Sequence, residues 1–122
     1  MTLQQLTRAE EELMTVLWKL KEGAVRDILQ QLSDPKPAYN TVSTVMGVLE
    51  KKGFVQHKVY GNCFVYTPKI TERRYKKFAF NKLFNTYFDN SYSNLVSFLV
   101  EENKLSLDEQ QELINLIKKM KK

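Results

Sequence analysis

The sequence predicts a mainly α-helical fold carrying one small β-hairpin. Apolar residues recur at helical spacing through most of its 122 residues. The one β-patterned stretch, "FVQHKVYGNCFVYTP", breaks at Gly61-Asn62 as a hairpin does at its turn. A third observation divides the chain, because after Pro68 the stripes become dense in aromatic residues. Residues 1–70 are therefore predicted to form one domain and residues 71–122 a second, helical one.

Thr7 with Glu10 makes an S/T-x-x-E capping box, so the first helix opens there. It runs through Leu13, Val16, Leu17 and Leu20, and Gly23 is expected to stop it. Val25, Ile28, Leu29 and Leu32 repeat the stripe over a short second helix, after which "SDPKPA" breaks the chain at Pro35 and Pro37.

The third helix, "YNTVSTVMGVLEKKGF", sets Val42, Val45, Met46 and Leu49 on one face. Thr41, Val42, Thr44, Val45 and Val48 are β-branched and lose rotamer freedom in a helix, so packing must hold it together. Opposite the apolar stripe stand Asn40, Ser43, Thr44, Gly47 and Lys51, short groups that let a backbone come close to another surface. A face made only for water would carry Glu, Lys and Gln, which favour a helix. Here those residues appear only in "EKKG" at the end.

In the hairpin a two-residue loop sets Val59 against Phe64 and His57 against Tyr66, with a II′ turn suggested by the leading glycine. That register predicts Val55, Val59, Phe64 and Tyr66 on the buried side and Lys58, Tyr60 and Asn62 at an exposed edge or tip.

Thr71 then opens a helix with two apolar faces, Tyr75, Phe78, Ala79 and Leu83 on one and Phe80, Phe84, Tyr87 and Phe88 on the other. A further helix starts near Ser91 and carries Leu95, Val96, Phe98 and Leu99. Ser106 with Glu109 is a second capping box, before Leu113, Leu116, Ile117 and Met120. Three such helices in about fifty residues cannot bury this aromatic surface alone, which predicts a homodimer. The residues expected to join two chains are Tyr75, Phe78, Phe84, Tyr87, Phe88, Leu95, Phe98, Leu99, Leu113, Leu116 and Ile117. The alternative is a monomeric helical subdomain folded back on the first half.

Composition narrows the function. One cysteine, Cys63, excludes an internal disulfide, and with the single His57 it cannot close a metal site. There is no Gly-rich phosphate loop and no triad material, so neither an enzyme nor a cofactor is expected. No run of about 18 apolar residues occurs and the start, "MTLQQLTRAEEE", is too acidic and polar for a signal peptide, so the expectation is a cytoplasmic chain without membrane insertion. The net charge of +5 suits an anionic partner but is modest. The terminal "KKMKK" reads best as a soluble helix end that complements the helix dipole.

Helix, helix, helix, hairpin is the order of a winged helix-turn-helix, whose third helix enters the major groove of double-stranded DNA while the wing lies on the backbone or minor groove. Small polar side chains are what such a helix needs: an amide suits adenine, a threonine methyl suits thymine, and hydroxyls suit phosphates. The expected DNA contacts are Asn40, Thr41, Ser43, Thr44, Gly47, Lys51, Lys52, Lys58, Tyr60 and Asn62. Two alternatives stay open, a winged helix used for protein–protein contact and a redox-responsive regulator acting through Cys63.

Four stretches, "LTRAEEELMTVLWKL", "YNTVSTVMGVLEKKGFV", "GNCFVYTP" and "SNLVSFLVEENKLSLDEQQEL", resemble the BlaI/MecI/CopY-type penicillinase repressors over nearly the whole chain. The resemblance implies a dimeric transcriptional repressor on a dyad operator, with TACA-like half-sites in many members, linked to antibiotic resistance. It also implies release by a membrane-bound sensor protease of the BlaR/MecR type that cuts in the dimerisation half. The family's Asn-Phe cleavage position aligns with Phe98-Leu99, where the asparagine is missing. A cut elsewhere, a protease of different preference, or no cut are the alternatives. Copper sensing is not implied, because the paired C-terminal cysteines of that branch are absent.

Overall fold

Thr7 caps the first helix as its sequence requires: in the computed structural model the Glu10 amide donates to Thr7 Oγ1 at 3.2 Å and the Thr7 amide to Glu10 Oε1 at 2.8 Å. The structure describes residues 3–103 and 105–120, so Lys121 and Lys122 of the terminal basic run lie outside the described residues. The chain divides into two compact units between Lys77 and Phe78.

The first unit holds α1 (Arg8–Leu20), α2 (Val25–Gln31), α3 (Tyr39–Lys51), an antiparallel hairpin of β1 (Val55–Tyr60) and β2 (Cys63–Pro68), and the start of α4 (Glu72–Phe88). Its core gathers the three apolar stripes: Leu13, Met14 and Leu17, then Val25 and Ile28, then Val42, Met46 and Leu49, all buried and closed below by Phe54 and Val55. Val45 is only half-buried, at the edge of its stripe. α1 stops before Gly23. Lys21 takes a positive φ of 74° and its amide returns to the Leu17 carbonyl. Gly23 instead exchanges two backbone hydrogen bonds with Tyr66, a close approach of strand to chain that pins the base of the hairpin.

The hairpin register is the expected one, with Val59 opposite Phe64 and His57 opposite Tyr66, and Gly61 leads the turn at φ 60°. Its burial is not. Val55 and Tyr66 are buried, whereas Val59 is 59% and Phe64 48% exposed. The ribbon runs on past the edge of the core, which leaves the outer half of its apolar face about half exposed.

Tyr75 also departs from expectation. It is buried in the first unit, with its ring 5.7 Å from Phe54 and 6.0 Å from Trp18, and its hydroxyl accepts from the Leu6 amide and donates to Glu11. Trp18 Nε1 donates to the Ile70 carbonyl at 2.8 Å. The opening of α4 thus completes the first core, and Tyr75 has no surface left for a second chain.

The second unit contains the rest of α4, α5 (Tyr92–Asn103) and α6 (Leu107–Met120). α4 ends at Asp89 and Asn90, both with positive φ, a conformation these two residue types tolerate. Ser91 caps α5 by accepting from the Asn94 amide, and Ser106 with Glu109 closes the second capping box. Phe84 is buried between Phe80 and Tyr92, and Phe88 meets Phe98 edge to face at 5.5 Å. Tyr87, Phe98, Leu107 and Leu116 remain exposed.

Candidate nucleic-acid interface

Because α3 buries Val42, Met46 and Leu49, its opposite face is fixed by the helical period. Asn40, Thr44 and Lys51 are exposed there, and Ser43 and Gly47 are half-buried. Thr44 Oγ1 donates to the Asn40 carbonyl at 2.9 Å, so the hydroxyl proton is engaged and the oxygen's lone pairs remain for an incoming donor. A Cβ built on Gly47 meets nothing within 4 Å, and its φ is not positive. Among the described residues neither packing nor backbone conformation calls for a glycine there. Thr41 sits on the flank, lining a small crevice with Leu13 of α1 and Pro37.

An open groove of about 500 Å³ runs between the start of α2, the start of α3 and the hairpin. Ser43, Tyr60 and Asn62 line it, and so do two residues not singled out in the sequence, Arg26 and Tyr39. Arg26 carries a signal in the sequence. It is an exposed cation in the first turn of α2, set against the helix dipole, beside Asp27, whose carboxylate accepts from the Ala24 amide. Tyr39 is exposed at the first residue of α3.

The lysines separate. Lys51 and Lys58 are exposed and make no ion pair among the described residues. Lys52 is a correction: its Nζ lies 2.9 and 2.8 Å from the two carboxylate oxygens of Glu10, which is 4% exposed. A buried carboxylate needs a partner, and this lysine supplies it, tying the end of α3 to the start of α1. Burial alone would push the Glu10 carboxyl up, but the bonds from Lys52 and Thr7 together hold it below its ordinary value. Burial pushes the Tyr66 phenol up, with the charges of Glu50 and Tyr39 adding to the shift.

Cys63 is exposed on the hairpin opposite Tyr60. Among the described residues no three His, Cys, Asp or Glu side chains gather as a metal site, and no helix is long and apolar enough to cross a membrane.

Residues 6–119 match the penicillinase repressor family. The penicillinase repressor of Bacillus licheniformis is 30% identical over 118 residues, spanning 96% of this chain and 92% of that protein. The methicillin resistance regulatory protein MecI of Staphylococcus aureus (strain N315) is 28% identical over 116 residues, 94% of each. The solution structure of the DNA-binding domain of the repressor BlaI covers 61% of this chain and 92% of its own at a TM-score of 0.53 and 35% identity. That of monomeric Bacillus licheniformis BlaI with the blaP half-operator gives the same coverage and identity at 0.51. The three helices and hairpin of the first unit are a winged helix-turn-helix.

Proposed function

The chain belongs to the penicillinase repressor family, and from that premise we propose that it is a dimeric transcriptional repressor of a dyad operator. The observation that carries the reading is the outward face of α3, small, polar and open at Gly47. With α3 in the major groove, Asn40, Thr41, Ser43 and Thr44 meet base edges while Gly47 lets the backbone close in. Lys51 and Lys58 lie over phosphates, joined by Arg26 and Tyr39 along the groove, and Tyr60 and Asn62 carry the wing tip to the backbone or minor groove. Likeness to a BlaI solved with a half-operator supports this reading. The family is one of repressors, and the mechanism needs neither catalysis nor a cofactor.

Two chains associate through the second unit, where Tyr87, Phe98 and Leu116 are exposed and Phe78, Phe88, Leu95, Leu99, Leu113 and Ile117 are half-buried beside them. Phe84 supports that surface from within its own unit. Repression ends when a sensor protease of the BlaR/MecR type, acting in the cytoplasm, cuts the dimerisation half. Phe98-Leu99 is the candidate region. It lies inside α5, so a cut there requires that helix to unwind locally.

Fluorescence anisotropy against the duplex upstream of the chain's own gene and against a shuffled duplex, each across a salt series, tests the proposal. Tighter binding to the native duplex with two chains per site is expected. Equal, weak and steeply salt-dependent binding to both would leave only a basic protein near a polyanion and favour protein–protein contact instead.

A further inference from the structure

The wing is a two-stranded ribbon, an element of marginal stability by itself, and its outer half is not covered by the core. His57 stands midway along it. Its ring stacks on Phe64 at 4.1 Å and 14°, and lies 5.8 Å from Tyr66. Its Nδ1 lies 2.7 and 2.9 Å from the two oxygens of Glu50, on the last turn of α3. Because a carboxylate only accepts, Nδ1 carries the proton and donates. Glu50 is otherwise hard to explain. A carboxylate in the last turn faces the negative end of the helix dipole, and on a helix that approaches DNA it also faces phosphates.

We propose that His57 is a positioning residue, clamped by Glu50 and Phe64, that fixes the angle of the wing against the recognition helix. The inference rests on the DNA-binding reading. Lys58, Tyr60 and Asn62 follow His57 along the chain, so the clamp decides where they point. Without it the wing samples other directions, and only the fraction of molecules with a correctly aimed wing binds fully.

Cys63, the chain's one cysteine and exposed on the wing, takes a thiol-reactive fluorophore whose anisotropy decay reports wing motion in the free protein. Operator titrations use the unlabelled chain. His57→Ala and Glu50→Ala should each raise the amplitude of local motion and weaken binding to the native duplex by about three- to tenfold. The double variant should be no worse than either, and Glu50→Gln, whose amide oxygen still accepts from Nδ1, should restore most of the binding. Charge alone predicts the opposite for Glu50→Ala, since removing a carboxylate near phosphates tightens binding. Tighter binding by that variant, or unchanged label motion in both single variants, overturns the clamp. If the unmodified chain ignores operator DNA, the DNA-binding reading falls, while the label motion still decides whether His57 and Glu50 hold the wing.

Discussion

Replacing Gly47 by alanine should separate stability from function. Glycine in a helix interior costs about 0.5–1 kcal/mol relative to alanine. The added Cβ meets nothing within 4 Å, so no overpacking offsets that gain, and the absence of a positive φ removes any backbone strain. For a unit the size of Met1–Lys77, each kcal/mol shifts the melting temperature by roughly 4–8 °C. The variant should therefore melt about 2–8 °C higher by circular dichroism. On the operator the same methyl enters the space where helix and groove meet. Forcing a methyl into a close-packed contact costs about 1 kcal/mol or more, so affinity should drop roughly fivefold or more by anisotropy titration. A stabilised variant that binds as well as the original would refute the close approach of α3 at this position. A variant that gains no stability would refute the claim that the fold has no use for the glycine.

Alanine at Lys51 or Lys58 should weaken binding to all duplexes alike and flatten the salt slope by about one unit for each phosphate left without its lysine; a weakening confined to one base position would contradict phosphate contact. Lys52→Ala should leave the buried Glu10 without its cationic partner and destabilise the first unit by about 2–3 kcal/mol, less than for a fully buried pair because the lysine is partly exposed and the Thr7 amide still donates to the carboxylate. The Glu10 carboxyl is held low in the folded state, so its contribution is present above its unfolded pKa and lost as pH falls through the lowered folded value. Glu10→Gln should flatten that acid limb in a series of denaturant melts, and an unchanged limb would remove Glu10 as its source. Phe98→Asp should shift sedimentation from dimer to monomer while α-helical content persists; an intact dimer would place Phe98 outside the interface.

What is legible in the sequence follows from periods and caps. The stripes of α1, α2 and α3, both capping boxes and the hairpin register are local or nearly local patterns, and the chain forms them as written. Depth is not legible. A period of two tells which side of a strand is apolar but not how far the core extends beneath it, and Val59 and Phe64 lie beyond that limit. Lys51 and Lys52 are adjacent and chemically identical, and only the position of Glu10, 42 residues away from Lys52, makes one structural and leaves the other exposed. Tyr75 escapes the sequence pattern for a related reason. An aromatic stripe shows that a helix needs a partner, but its choice of the Phe54 and Trp18 surface depends on the tertiary fold.

The same separation explains why α3 can be so poor a helix. Its first residue follows Ala38, which offers no side-chain cap, and Thr41, Thr44 and Gly47 each cost helix stability. What holds it is elsewhere: fully buried Met46 and Leu49 in the core, the Lys52–Glu10 pair just past its end, and the Phe54 amide returning to the Leu49 carbonyl. With the helix secured from its inner face and its C-terminal end, the outward positions are released from any duty to stabilise it. They can be filled by whatever suits a groove, including a glycine that no contact among the described residues requires. A local rule broken on one face only, with the compensation placed on the other, is what a surface shaped by a partner looks like.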